Sequence, residues 1–236
     1  MRHLSMAITL ALLVAMPAVA QLEDKVADRF WESTKILEQT VNAPDGGIPQ
    51  ELLGRSECVA VIPAVKRAAL GFGGRYGRGV VACRMDGGSG AWGAPSMISL
   101  SGGSFGFQIG GQSTDVLMLF LSPDSMEHLL ADKLTLGADA SVAIGPKGRT
   151  VSADTSATMR AEILTYARSR GLFAGISFEG AVIRPDNDAN TALYGRKVDA
   201  KDLLLEGQMS VPEPAQRFID TLTRVAARHE AASTSP

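Results

Sequence analysis

The stretch Gly71-Phe72-Gly73-Gly74-Arg75-Tyr76-Gly77-Arg78-Gly79-Val80-Val81-Ala82-Cys83-Arg84 constrains this chain more than any other. Its glycines let main chain, and any ligand, approach closely. Its arginines are planar donor forks suited to phosphate or carboxylate, and it ends in the apolar run of a buried strand. Residues 58–85 contain Lys66, Arg67, Arg75, Arg78 and Arg84 but no Asp or Glu. In a chain with a formal net charge of −2, that local excess implies an anion-facing surface; the alternative is a Gly-rich hairpin whose arginines are merely solvated. The 25 glycines, against 6% aromatic residues, favour close-packed strands and tight turns over a helical bundle. The acidity of the whole chain argues against a nucleic-acid partner, which would call for a basic domain.

Met1-Arg2-His3 is a short positive segment, residues 4–16 are almost wholly apolar, and Ala18-Val19-Ala20 has the small-x-small form of a cleavage site. This pattern predicts a secretory signal peptide over residues 1–20, cleaved after Ala20. The apolar run is too short for a good membrane span, so the expectation is a periplasmic or secreted protein without an anchor. Cys58 and Cys83, the two cysteines, would then meet an oxidising compartment. Each sits in a β-type run, and a hairpin-like arrangement would bring them to disulfide distance. The alternative is two buried thiols of a β core. With no second cysteine pair and no clustered histidine, neither a metal nor another cofactor is expected.

Leu22, Val26, Phe30, Leu37 and Val41 fall on one helical stripe, widened by Ile36. The other faces, with Glu23, Asp24, Asp28 and Glu32, are richer in acid than base, which suits packing on the domain better than insertion into an anionic leaflet. A short helix is expected over residues 49–53. A strand over 58–62 closes at Pro63, and residues 68–76 and 78–84 form a hairpin around Tyr76-Gly77. The alternation through Ile98, Leu100, Phe105, Phe107 and Ile109 changes parity at Gly102-Gly103, predicting a bulge there. The apolar run 116–121 reads as a central strand and residues 122–130 as a helix begun by Pro123. Residues 134–144 alternate as one two-faced strand, 161–166 read as another, in a pattern that also allows a helical turn, and 172–178 alternate again. Short helices follow at 185–194 and 199–205, and an amphipathic helix begins at Pro214, with a frayed tail from His229. These elements make one α+β domain over residues 21–230, a mainly antiparallel sheet flanked by N-terminal and C-terminal amphipathic helices, with a disordered tail over 231–236.

Gly102-Gly103-Ser104-Phe105-Gly106 matches the nucleophile-elbow pattern, which would make Ser104 a hydrolase nucleophile. The residues that follow alternate as a strand where a helix is required, and only His128 and His229 survive removal of the signal. Gly77 to Ala82 fits a loose dinucleotide pattern but runs into β-type residues. Asp186-Asn187-Asp188 imitates a calcium loop, yet Thr191 replaces its glycine and Lys197 its closing acid; helix capping is the preferred reading. Glu179 is an acid on an otherwise uncharged strand, read as facing solvent at a sheet edge.

Together, Arg75 to Arg84, Trp92-Gly93-Ala94-Pro95-Ser96, Leu100 to Gly106, Leu134 to Pro146 and Gly171 to Gly180 resemble the SYLF domain family, in order and over nearly the whole mature chain. Eukaryotic members of that family bind phosphoinositides and other acidic lipids, and some bind actin filaments; exported bacterial members look like single-domain lipid-binding proteins of the envelope. The resemblance implies a non-catalytic phospholipid-binding protein and explains the Ser104 motif as part of a family strand. It departs from the eukaryotic pattern in its signal peptide, its acidic first helix and the expected lack of an appended partner-binding domain. Actin is therefore not the expected partner, and phosphatidylglycerol, cardiolipin or a lipid A phosphate takes the place of phosphoinositides. The expected lipid-binding residues are Lys66, Arg67, Arg75, Arg78 and Arg84, with Lys147 and Arg149 as outer candidates. The competing expectations are the serine hydrolase and a structural envelope oligomer stapled by its cysteines.

Overall fold

The computed structural model describes residues 2–44, 46–86, 90–130, 133–146, 160–169, 172–174, 176–204 and 209–233. In chain order the elements are α1 (Arg2–Val41), α2 (Gln50–Arg55), β1 (Cys58–Cys83), β2 (Ser96–Phe120), α3 (Pro123–Leu130), β3 (Leu134–Thr135), β4 (Val142–Ile144), β5 (Ile163–Ser169), β6 (Leu172–Ala174), β7 (Val182–Pro185), α4 (Asn187–Tyr194), α5 (Ala200–Leu204) and α6 (Glu213–Ser233). The class is α+β, as expected. Seven strands form one curled sheet in the order β3-β7-β2-β5-β4, with β1 on β2 and β6 on β5. Among the described pairs only β4 with β5 is parallel.

The sheet is built on a ribbon of β1 and β2, antiparallel from Cys58↔Phe120 to Val81↔Ser96. Fully extended, the 26 residues of β1 would span about 85 Å at about 3.3 Å per residue. Instead the Cα atoms of Cys58 and Cys83 lie 4.0 Å apart and the two residues form a disulfide. The strand therefore folds back on itself. Pro63 has no N–H for the ladder, Ala64 takes a φ of 48°, and Asp115 Oδ1 accepts the Ala64 N–H at 2.9 Å. The register slips at this point and again between Ala69 and Gly71.

These irregularities correct three expectations. Pro63 bends the strand without ending it, because Asp115 takes over a main-chain partner at the bend. Tyr76 and Gly77 are not a hairpin turn but lie mid-strand, opposite Ser101 and Leu100. Gly102 and Gly103 pair regularly with Arg75 and Gly74, and the slip falls further along β2, between Gly106 and Gly110. The glycines of this region serve a crossing. A Cβ on Gly79 would lie 2.2 Å from the Val61 carbonyl oxygen and 2.8 Å from Ile62 Cα, so only a bare backbone lets the two halves of β1 meet.

Side chains alternate between two cores. On the face where the halves of the ribbon meet, Cys58, Ile62, Val81, Leu100, Met118 and Phe120 are buried together. The opposite face, with Val59, Val61, Val80, Met97 and Leu117, is covered by the stripe of α1 and by α6; Phe30 and Phe218 meet there at 6.2 Å. The residues 116–120 of β2 are central, held by β1 on one side and β5 on the other. Asn190 of α4 is fully buried. It accepts the Met97 N–H at 2.7 Å and donates to Ser96 Oγ at 3.1 Å, docking that helix on the start of β2.

The expected strand over 134–144 is two strands, β3 and β4. Gly137 takes a φ of +84° and Asp139 Oδ2 accepts the Thr135 N–H at 2.6 Å, a turn that outweighs the alternation. Of the alternating residues 172–178, only Leu172–Ala174 are a strand among the described residues. The helix from the Pro214 region runs to Ser233, past His229 where a frayed tail was expected. Among the described residues no helix is long and apolar enough to cross a membrane.

Candidate functional site

Lys66 and Arg67 precede the slip at Ala69/Gly71 and Arg75 follows it, so the fold-back of β1 turns residues eight or nine positions apart toward one another. They border an open groove of about 600 Å³, together with Tyr76, Gln112 and Ser113. Gly74 and Gly111 also line it without side chains. A separate small cavity of about 20 Å³ shares Arg67, Arg75 and Gln112 with the groove and is lined as well by Val65, Thr114, Ile176 and Phe178. The residues that β2 gives to the groove, Gly111, Gln112 and Ser113, are uncharged; Asp115, the single ionisable residue of β2, accepts the Ala64 N–H.

Arg75 is the best-held cation of the three. Its Nη1 donates to the Ser177 carbonyl at 2.7 Å, and its guanidinium lies 5.4 Å from the Phe178 ring centroid, a cation–π contact. Its Nε is buried without a hydrogen-bond partner. Burial lowers its pKa first, and the positive charge of Arg67 lowers it further. Arg75 stays charged at neutral pH all the same. Among the described residues none of Lys66, Arg67 and Arg75 makes an ion pair. The arrangement is a partly buried cationic cluster with an unused donor and no internal counter-ion, and an anion that entered would relieve both deficits.

Arg78 and Arg84 are placed elsewhere. Arg78 donates from Nε to Tyr76 Oη at 2.6 Å and approaches Asp186 Oδ2 at 3.5 Å, partners that raise its pKa, Tyr76 foremost. The same Asp186 oxygen meets Arg29 at 3.4 Å, and Asp186 Oδ1 accepts the Ala189 N–H at 3.4 Å. Asp186 is thus the cap of α4 and the tie to α1, in agreement with the capping reading. Arg84 lies over Trp92 at 4.5 Å and donates to the Gly90 carbonyl at 3.3 Å, so it secures the connection between β1 and β2. Lys147 and Arg149 lie outside the described residues.

Ser104 belongs to β2, opposite Gly73 in the ladder; the strand continues through it, and the strand-to-helix turn of a nucleophile elbow is not formed. Glu179 is exposed in a tight turn where the Ala181 N–H donates to the Phe178 carbonyl at 3.0 Å. Tyr76, Gln112, Ser177 and Phe178 were not legible as site residues. Tyr76 stood at the expected turn, and no local pattern marks a polar strand residue or a carbonyl as the partner of an arginine a hundred positions away.

Comparison with known proteins bears on this geometry. A family profile described as "Ysc84: Las17-binding protein actin regulator" matches residues 101–225. SH3 domain-containing YSC84-like protein 1 of Rattus norvegicus is 36% identical over 194 residues, which cover 81% of this chain and 54% of the relative. LAS seventeen-binding protein 3 of Saccharomyces cerevisiae is 35% identical over 213 residues, covering 89% and 44%. Protein YSC84 of the same organism is 32% identical over 221 residues, covering 91% and 46%. The chain spans about half the length of these relatives.

Proposed function

The chain belongs to the Ysc84 family, the SYLF domains, and from that premise we propose that it is a non-catalytic module that docks on anionic phospholipid head groups through Lys66, Arg67 and Arg75. The observation that carries this reading is the cluster itself: three cations around one open groove, without an ion pair among the described residues. Each cation near a charged leaflet contributes about 1 kcal/mol. Three give about 3 kcal/mol, a factor of about 150 in partition, which is reversible binding. Phosphate oxygens meet the Arg75 fork at one wall of the groove, and Tyr76 and Gln112 offer further hydrogen bonds. Arg78 and Arg84 support the site through Asp186 and Trp92 and do not belong to the contact set. With residues 1–20 as an export signal, the membrane in reach is that of the periplasm or the cell exterior.

The test is sedimentation with vesicles of phosphatidylglycerol and phosphatidylcholine at rising salt. Binding is expected to favour the anionic vesicles and to fall with salt, as screening of exposed charges requires. Arg67→Ala with Arg75→Ala should lower it by about thirtyfold, at about 1 kcal/mol per cation, whereas Lys201→Ala with Arg217→Ala, equal in charge but set on α5 and α6, should leave it unchanged. Undiminished binding by the groove variant would refute the site. The description of the family favours a second reading, a protein partner of the actin system. Co-sedimentation with actin filaments, alongside indifference to anionic vesicles, would establish that reading in place of the first.

A further inference from the structure

Leu172 is 65% exposed, more than any other large hydrophobic side chain among the described residues, and it stands on the same face of the sheet as Arg67. Arg67 pairs with Gln112 across β1 and β2. Gln112 Nε2 donates to Ser169 Oγ at 3.5 Å, and Ser169 pairs with Leu172 across β5 and β6. Directly paired residues project from the same face of a sheet. The register of β2 with β5 sets position 169 opposite Thr114, two residues from Gln112, and residues two apart share a face, so Arg67, Gln112, Ser169 and Leu172 lie on one face of the sheet, Leu172 one step along it from the Arg67 row. Neighbouring strands are about 4.8 Å apart and two residues add about 7 Å along the strand, which sets Leu172 about 16 Å from Arg67. Ser169 Oγ also donates to the Ser113 carbonyl at 3.4 Å, fastening β5 to the wall of the groove.

A second apolar group shares that face. Ile144, 48% exposed, pairs with Thr165, which has the same parity on β5 as Ser169. It emerges from the same edge, about 14 Å along the strand from the Leu172 row. Singly exposed hydrophobic residues are ordinary on protein surfaces. Here the apolar edge adjoins Lys66, Arg67 and Arg75, whose uncompensated charge selects an anionic surface. A bilayer offers both anionic head groups and, beneath them, an apolar boundary.

Resting on the lipid reading above, we infer that Leu172 is an apolar anchor that enters the acyl boundary of an anionic bilayer while Lys66, Arg67 and Arg75 hold its head groups, with Ile144 as a second contact along the edge. The cations set the salt dependence of docking, and the leucine adds a contribution that salt does not screen.

The experiment uses the purified protein and vesicles of equal parts phosphatidylglycerol and phosphatidylcholine. Leu172→Ser, which adds no charge, should weaken partition by about tenfold with its salt slope and melting temperature unchanged, and Leu172→Asp should weaken it further. A polarity-sensitive fluorophore on Leu172→Cys, attached while Cys58 and Cys83 remain bonded, should shift to the blue on adding vesicles and be quenched by brominated acyl chains. If the wild type binds the vesicles, but Leu172→Ser binds equally and the fluorophore does not shift, the anchor is overturned and the lipid reading stands. If the wild type ignores anionic vesicles, the lipid reading falls and the anchor with it. If Leu172→Asp abolishes self-association in sedimentation and leaves vesicle binding intact, the patch belongs to a second copy of the chain and the inference is overturned.

Discussion

The disulfide between Cys58 and Cys83 joins the two ends of a single strand, and its contribution to stability can be worked out from the chain it closes. The cysteines are 25 residues apart. Closing a loop of that length in the unfolded chain removes about 12 cal/mol/K of entropy, or about 3.5 kcal/mol at 25 °C. Replacing both residues, Cys58→Ala with Cys83→Ala, should therefore cost at least about 3.5 kcal/mol; both side chains are fully buried, so the lost sulfurs add to the loss. For a domain of this size the melting temperature should fall by about 7–14 °C. Thermal unfolding followed by circular dichroism, on the oxidised wild type, the double variant and the reduced wild type, measures it. A double variant melting within about 2 °C of the oxidised wild type would refute the reasoning, because the unfolded chain would then not be the state that the bond restrains.

Two further outcomes follow from single positions. Gly79→Ala places a Cβ against the backbone at Val61 and Ile62 and should cost about 3 kcal/mol, whereas Gly103→Ala, whose Cβ meets nothing within 4 Å, should change stability by less than about 1 kcal/mol; urea midpoints for the pair decide whether the crossing requires glycine. Glu162 Oε2 accepts the Ser141 N–H at 2.7 Å and the Ser141 hydroxyl at 2.9 Å, and these bonds, the backbone one foremost, hold its carboxyl below the usual range. A depressed folded-state pKa gives stability that is present above the ordinary glutamate value and is lost as pH falls through the folded value. Glu162→Gln should accordingly melt lower than the wild type at pH 7, and the gap should close by pH 3; a gap unchanged at pH 3 would contradict the assignment.

Elements set by neighbours a few positions away were legible before any tertiary contact was known. The stripe through Val26, Phe30 and Leu37 forms a helix because residues three and four apart share a face, and it is buried. Pro123 starts α3 and Asp186 caps α4, because a missing donor or a supplied acceptor acts within one helical turn. The apolar run from Val116 to Phe120 lies centrally because all its side chains must leave water. The same local reasoning failed at Gly137, where a turn braced by Asp139 breaks an otherwise unbroken alternation. It failed again at Tyr76-Gly77, where glycine serves close packing and no turn.

An excess of positive charge on a glycine-rich β segment, and helices on either side of the sheet, are written in the residues themselves. Which of those charges border the groove of about 600 Å³ depends on long-range contacts. Arg78 is met by Asp186 and Arg84 by Trp92, while Lys66, Arg67 and Arg75 border one groove, set there by a strand whose register slips at Pro63 and again before Gly71. Charge is a property of each residue and survives any fold. Its availability depends on what is brought beside it, and here that is settled by contacts across a folded strand and between segments up to a hundred positions apart.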